Sequence, residues 1–117
     1  MRYKQILNIE QFDEIEEQLG IALRGIAAEI SEESDDGTRL ILARGEIISL
    51  TDGKLEQNIR INFSAFDSSQ QCIASDHQNF FKKYFIGIHI FRFERWVRTK
   101  DIDKVIVLPE IDLRWHY

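Results

Sequence analysis

The side chains best able to do chemistry in this sequence are three histidines and one cysteine: His77, His89, His116 and Cys72. No two histidines have the spacing of a helical zinc motif, and no Cys-x-x-Cys pair accompanies them. Asp76 and His77 could still meet His89 or Asp67 across neighbouring strands and form a mixed nitrogen and oxygen metal site, which is the basis of a third, less favoured hypothesis, that of a metal-dependent enzyme. We favour the simpler interpretation, in which His77 lies in a loop and His89 on a partly exposed strand face.

A nucleophilic role for Cys72 would require a stabilised thiolate, usually beside a histidine or a helix N-terminus. Its neighbours Ile73 and Ala74 predict a half-buried strand instead, where apolar surroundings make a thiol inert. The sequence also lacks phosphate-binding glycine motifs and the Gly-x-Ser-x-Gly element. We therefore expect a non-enzymatic protein with no catalytic residue, no metal and no cofactor.

Aromatic side chains are the remaining candidates for a site, because they dominate the hot spots of protein interfaces. Phe81, Tyr84 and Phe85 lie within one short segment, and Trp115 stands near the end of the sequence. One interpretation is an exposed patch that anchors a protein partner. The alternative is a one-turn connector whose rings close one end of the fold. We take Phe81, Tyr84, Phe85 and Trp115 as the candidate partner-binding residues.

Length and composition indicate one globular domain spanning residues 1–117, with 44% hydrophobic and 30% charged residues. The net charge of -5 disfavours general nucleic-acid binding, although cations and aromatics alternate from Arg92 to Lys100. We predict that this stretch is a strand with one face in the core. A single cysteine, no signal-like segment and no membrane-spanning apolar run predict a cytoplasmic protein that does not bind membranes.

The first element predicted is a short helix from about Ile9 to Leu19. Asn8 would cap it, Gln11 would complete a capping box, and Gly20 would end it. The next segment, Ile21 to Ile30, fits either a continued helix or a first strand. We favour the strand, because the polar turn that follows would give it a hairpin partner.

Beyond Leu40 the sequence predicts strands. Asp52-Gly53 is typical of a type I′ hairpin turn, and apolar residues alternate with polar ones from Ile59 to Phe66. Gly45 suggests a bulge within one strand, and Pro109 is expected to end another after Leu108. Short strands joined by turns, with one helix, predict an antiparallel sandwich.

The central stretch also resembles a known family. Ile59 to Asp67, followed by Gln71 to Ala74, resembles the strand, aromatic-Asp turn and return strand of bacterial FxLYD-type domains. Tyr84 to Phe91 is similar to their aromatic-rich strand, whereas Ser68 to Gln71 replaces the glycine of their turn. The resemblance covers roughly Leu40 to Leu108.

The resemblance implies an immunoglobulin-like antiparallel β-sandwich, here with a short N-terminal helix, and a non-enzymatic accessory or interaction module. It supplies no catalytic residues. The expected partner is another protein, or a second copy bound through an edge strand. The alternative function, suggested by the acidic charge, is a small inhibitor or chaperone-like protein that masks a basic partner.

Overall fold

The computed structural model describes residues 3–31, 34–98 and 101–113. Its elements, in chain order, are β1 (Tyr3–Ile6), β2 (Asn8–Gln11), α1 (Asp13–Gln18), β3 (Ile21–Ser31), β4 (Arg39–Ser49), β5 (Ile59–Phe66), β6 (Cys72–Phe80), a 3-10 turn (Lys82–Tyr84), β7 (Ile88–Val97) and β8 (Lys104–Ile111).

The described strands form two four-stranded sheets. Sheet A has the order β1-β3-β4-β7, and sheet B has the order β2-β8-β5-β6. Neighbouring strands are antiparallel except β2 and β8, which run parallel. The predicted fold class, a mostly-β sandwich with a short N-terminal helix, is confirmed.

The core lies between the two sheets and is built from the inward-facing residues of every long strand. β5 alternates strictly between buried and half-buried positions, as its sequence predicted. Phe63 of sheet B stacks on Phe93 of sheet A, with ring centroids 5.3 Å apart. The largest fully buried side chains are Phe63, Phe91, Phe93, Ile21, Ile30, Ile41, Ile47, Ile59, Ile61, Val105, Val107 and Pro109.

The N-terminal helix is shorter than predicted. Asn8 to Gln11 forms β2, which pairs with β8, and α1 begins at Asp13 without a side-chain cap. The predicted cap at Asn8 is wrong, because pairing with β8 engages the backbone that the capping box would have used. Gly20 ends the helical segment with φ +74°, as predicted. No helix in the described ranges is long and apolar enough to cross a membrane.

A buried carboxylate holds α1 against the sandwich. Glu16 is buried, and its Oε1 accepts a hydrogen bond of 2.8 Å from the Leu23 backbone N–H. The Gln11 amide donates to Glu16 Oε2 at 3.1 Å and to the Leu23 carbonyl at 2.9 Å. This network joins β2, α1 and β3, and it satisfies polar groups that burial would otherwise penalise.

The ambiguous segment Ile21 to Ile30 is a strand, β3, and it pairs with β4 as favoured by the sequence. The bulge lies in this strand and not at Gly45. The register passes from Arg24 opposite Glu46 to Ala27 opposite Arg44, so two residues of β3 face the single Gly45. Gly25 supplies the positive φ of +60° that this bulge uses.

Gly45 is required for packing and not for a bulge, because it faces the ring of Phe91 on β7. A Cβ atom at this position would lie 2.6 Å from Phe91 Cζ and 3.1 Å from Ile26 Cγ1. Both distances are too short for ordinary contact. The glycine therefore makes room for a fully buried aromatic ring.

The Asp52-Gly53 turn forms, but it does not join two paired strands. Asp52 and Gly53 both have positive φ, and the Lys54 N–H donates to the Thr51 carbonyl at 3.1 Å. β4 belongs to sheet A and β5 to sheet B, so the turn lies within a connection between the sheets. The predicted hairpin is therefore wrong at the level of strand pairing.

Pro109 does not end its strand, contrary to the prediction. β8 continues to Ile111, and Pro109 is buried opposite Ile61 of β5. The pairing of β8 with β2 stops at Val107. β8 therefore has a neighbour on one side only at Pro109, where a missing N–H can be tolerated.

Candidate functional site

The two outer faces of the sandwich differ in polarity. The outer face of sheet B carries half-buried polar side chains along β5, among them Arg60, Asn62 and Ser64. Sheet A instead exposes aliphatic side chains along β7 and the segment before it. Ile86, Ile88 and Ile90 are 83%, 57% and 70% exposed. Exposed isoleucines at alternate positions mark one face of this sheet as a candidate binding surface.

The strand register gathers these side chains into one patch. Ile48 of β4 lies directly opposite Ile88 of β7. The Ser49 N–H donates to the Gly87 carbonyl at 3.3 Å, and the Gly87 N–H donates to the Gly53 carbonyl, so the ladder ends there and Ile86 lies just beyond it. We define the isoleucine patch as Ile48, Ile86, Ile88 and Ile90. It occupies the end of sheet A where β7 begins.

A charged band separates this patch from a second apolar area. Arg92 and Glu94 of β7 form an ion pair of 2.5 Å on the same outer face. Beyond them the exposed Trp96 lies opposite Leu40 of β4. Along β7 the outer face of sheet A is therefore apolar at Ile88 and Ile90, charged at Arg92 and Glu94, and apolar again at Trp96.

The loop beside Trp96 is organised by one carboxylate. Asp36 accepts hydrogen bonds from the Ser34 hydroxyl, from the Thr38 hydroxyl at 2.6 Å and from the Thr38 N–H at 3.1 Å. These bonds, that from Ser34 foremost, lower the pKa of Asp36 from 3.8 to about 2, and the Arg98 charge adds to the effect. The carboxylate is therefore held in its charged form.

We predict that Asp36 titrates with a midpoint near pH 2 in the folded protein. Because its pKa is lowered on folding, its stabilising effect is present above about pH 3.8 and is lost as pH falls through about 2. Carboxyl carbon shifts followed by NMR would measure this midpoint. Ser34→Ala should raise the midpoint, and an unshifted value in the parent protein would contradict the assignment.

The predicted aromatic site is only partly exposed. Phe85 is buried, with its ring stacked on His89 at 4.5 Å and edge-on to Phe80 at 6.3 Å. These rings close one end of the core, which favours the connector interpretation, and a partner contact at Phe85 stays a prediction. Phe81 is half-buried, whereas Tyr84 is 68% exposed, two residues before Ile86. Trp115 lies outside the described residues.

The histidines do not come together. His77 lies opposite Asn62 on the exposed side of β6, whereas His89 packs against the rings of Phe85 and Phe80. Asp67 lies in the turn after β5 and accepts the backbone N–H groups of Ser69 and Gln71. Within the described ranges, no group of three or more His, Cys, Asp or Glu side chains is placed to hold a metal.

Cys72 is exposed, contrary to the half-buried position predicted for it. It is the first residue of β6, an edge strand of sheet B. The pairing shifts between Ala74, opposite Ala65, and Cys72, opposite Phe66. This irregularity at an edge leaves the thiol in contact with solvent.

The cationic stretch has the structure predicted for it as far as Val97. Phe93 and Val97 are buried, whereas Arg92 and Arg95 are exposed. Arg92 pairs with Glu94, and Arg95 pairs with Asp76 at 3.3 Å. These two cations are thus already matched by carboxylates of the same chain.

Sequence reasoning missed the isoleucine patch. Ile86 to Val97 is a long apolar run in which both alternating sets carry large apolar residues. Periodicity therefore could not tell the inward set (Phe91, Phe93) from the outward set (Ile88, Ile90). The sequence signal for the patch is that both sets are apolar. In a two-layer sandwich only one face of a strand meets the core, so the other apolar set lies on the surface.

No protein-family model matches this sequence, and no curated protein matches it. Among solved structures, one similar chain is described as "putative beta-galactosidase from bacteroides fragilis". The match has 9% sequence identity and a TM-score of 0.39, and it covers 77% of this chain. It spans only 15% of that chain. At this TM-score the likeness carries no information about function.

Proposed function

We propose that this domain is a non-enzymatic protein-interaction module that binds a protein partner through the isoleucine patch. The supporting observation is the exposure of Ile88 and Ile90 on one face of sheet A, with the exposed Ile86 two residues before β7. Moving one such side chain fully from water into an interface contributes about 1.5–3 kcal/mol. Three of them together could supply the apolar centre of an interface.

The surroundings of the patch favour this assignment over scattered surface residues. Ile48 and Ile88 are direct cross-strand neighbours, so the patch continues from β7 onto β4. Arg92 and Glu94 border it on one side. An apolar centre with a charged rim is the usual organisation of a protein interface.

Tyr84 is a further exposed contact residue, two positions before Ile86 in the chain. Its side chain is exposed, and Lys83 Nζ lies 4.9 Å from the centre of its ring. Tyrosine is enriched among interface hot spots, because it combines a large apolar surface with a hydrogen-bonding group. Of the four aromatic residues proposed from sequence, Tyr84 is the one this function retains as a direct contact.

Photo-crosslinking in cells of the native host would test the proposal. A photoreactive amino acid at position 90 should give a specific protein adduct, because Ile90 projects from the patch. The matched control places the same amino acid at position 62, on the polar outer face of sheet B, where no adduct is expected. Equal adducts at both positions, or none at position 90, would contradict the proposal.

A third position for the same probe addresses the acidic-inhibitor alternative. Asp13, Glu14 and Glu17 are exposed on α1, and the last turn of the helix carries no basic residue. A basic protein captured at position 14, and not at position 90, would favour that alternative. The interaction should then weaken steeply as salt is added.

A further inference from the structure

We infer that this protein partner is a second copy of the chain, joined β7 to β7 in an antiparallel pair at the edge beside the patch. The inference rests on the proposed function, because it names the partner and brings Ile90 of the patch into the contact. It would turn two copies of sheet A into one continuous eight-stranded sheet. Four observations on β7 carry it.

The first observation is the state of the edges. β7 lies at the edge of sheet A and pairs with β4 over its ten residues without a register shift. β6 is the edge strand of sheet B that lies next to β7, and it contains an irregularity and mostly polar side chains. At the other edge of sheet B, β2 has only four residues. Irregular and short edges resist pairing, whereas β7 is long and regular, and the charges that it carries are complementary between two antiparallel copies.

The second observation is the direction of the backbone groups. The Ser49 N–H bonds to the Gly87 carbonyl, so odd-numbered residues of the β7 segment direct their hydrogen-bonding groups toward β4. The Arg92 N–H instead points away from β4 and donates to Gln78 Oε1 of β6 at 3.4 Å. Even-numbered residues of β7 therefore direct their backbone groups away from β4, and an incoming strand would replace this side-chain hydrogen bond with a backbone one.

The third observation is charge complementarity. A two-fold axis at Phe93 sets Arg92 of each copy opposite Glu94 of the other, so two oppositely charged cross-strand pairs form. The two adjacent registers would instead place Arg92 opposite the second copy's Arg92, or Glu94 opposite the second copy's Glu94. Like charges directly opposite are destabilising and unlike charges stabilise, so the sequence of β7 selects the first register.

The fourth observation is the apolar surface on either side of those charges. The same register sets Ile90 opposite the second copy's Trp96. The isoleucine patch of one copy then continues into the exposed Trp96 of the other. The apolar, charged, apolar pattern of one β7 is thus complementary to itself when reversed, as an isologous interface requires.

Sedimentation equilibrium across a dilution series would test this inference on the full chain. The parent protein should dimerise, and Arg92→Glu or Glu94→Arg alone should weaken the dimer at least about tenfold by opposing like charges twice. The combined Arg92→Glu and Glu94→Arg variant should restore the dimer. Arg24→Glu, an equal charge reversal on β3 of the same sheet, should leave dimerisation unchanged.

Mixing the two single variants should give a heterodimer, because positions 92 and 94 of one variant then face positions of opposite charge in the other, although neither variant regains its intrachain ion pair. Variants that had unfolded would not pair. A parent protein that stays monomeric, or a double variant no better than the single ones, would overturn the inference. A different protein captured at position 90 by a monomeric parent would leave the proposed function standing and remove the second copy as its partner. An adduct of twice the chain mass would support both.

Discussion

Phe93→Ala is expected to lower the free energy of unfolding by about 3–5 kcal/mol, the largest effect of any single change considered. Phe93 is buried, stacks on Phe63 of the opposite sheet, and lies 5.9 Å from the centre of the Phe91 ring. Removing the ring would lose the free energy of transferring it from water and would add the cost of a cavity where the two sheets meet. Chemical denaturation at equilibrium measures the change.

Tyr84→Ala is the matched control for this prediction, because it removes an aromatic ring of similar size from an exposed position. We expect that change to cost no more than about 0.5 kcal/mol. Similar costs for the two variants would mean that Phe93 does not occupy the packed centre of the sandwich.

Gly45→Ala is expected to cost about 1–3 kcal/mol, although it adds a single methyl group. The new Cβ would lie 2.6 Å from Phe91 Cζ, and a fully buried ring has little room to move away. Phe91→Leu should relieve the crowding, so the double variant should lose less stability than the sum of the two single changes. A thermodynamic cycle of the four proteins measures this coupling.

Gly25→Ala provides the comparison for that cycle. A Cβ at Gly25 would meet no atom within 4 Å, and the cost comes only from its positive φ of +60°. This strain is local, so Phe91→Leu should not relieve it and the two costs should add. Additive costs for Gly45→Ala and Phe91→Leu would show that the ring is not confined by the glycine.

Local sequence predicted those parts of the fold that depend on local chemistry. The alternation from Ile59 to Phe66 predicted which side of β5 is buried, and Asp52-Gly53 predicted a tight turn with two positive φ values. The predicted strand at Ile21 to Ile30 also formed. In each case the residues that decide the structure are neighbours in the chain.

The errors arose where distant residues decide. Asn8 and Gln11 fit a capping box, but their segment pairs with Lys104 to Val107, whose position no local pattern discloses. The spacing of Phe85 fits both a surface anchor and a ring cluster, and in the structure its ring packs on His89. Tertiary contacts override local preference in both cases.

The same distinction applies to the candidate site. The sequence predicted that aromatic residues near Tyr84 could bind a partner, but the isoleucines that follow were hidden within an apolar run. Only the register between β4 and β7 separates the outward set from the inward set. The charges of Arg92 and Glu94 became informative once their place at an open edge was known.

The parallel pairing of β2 with β8 constrains how this protein can fold while it is being synthesised. β8 lies between β2 and β5 in sheet B, so β2 has no strand neighbour in that sheet until Lys104 to Ile111 has left the ribosome. The β3–β4 hairpin, by contrast, can form as soon as both strands emerge. One of the first strands made is thus among the last to be incorporated, and its backbone groups stay solvated through most of translation.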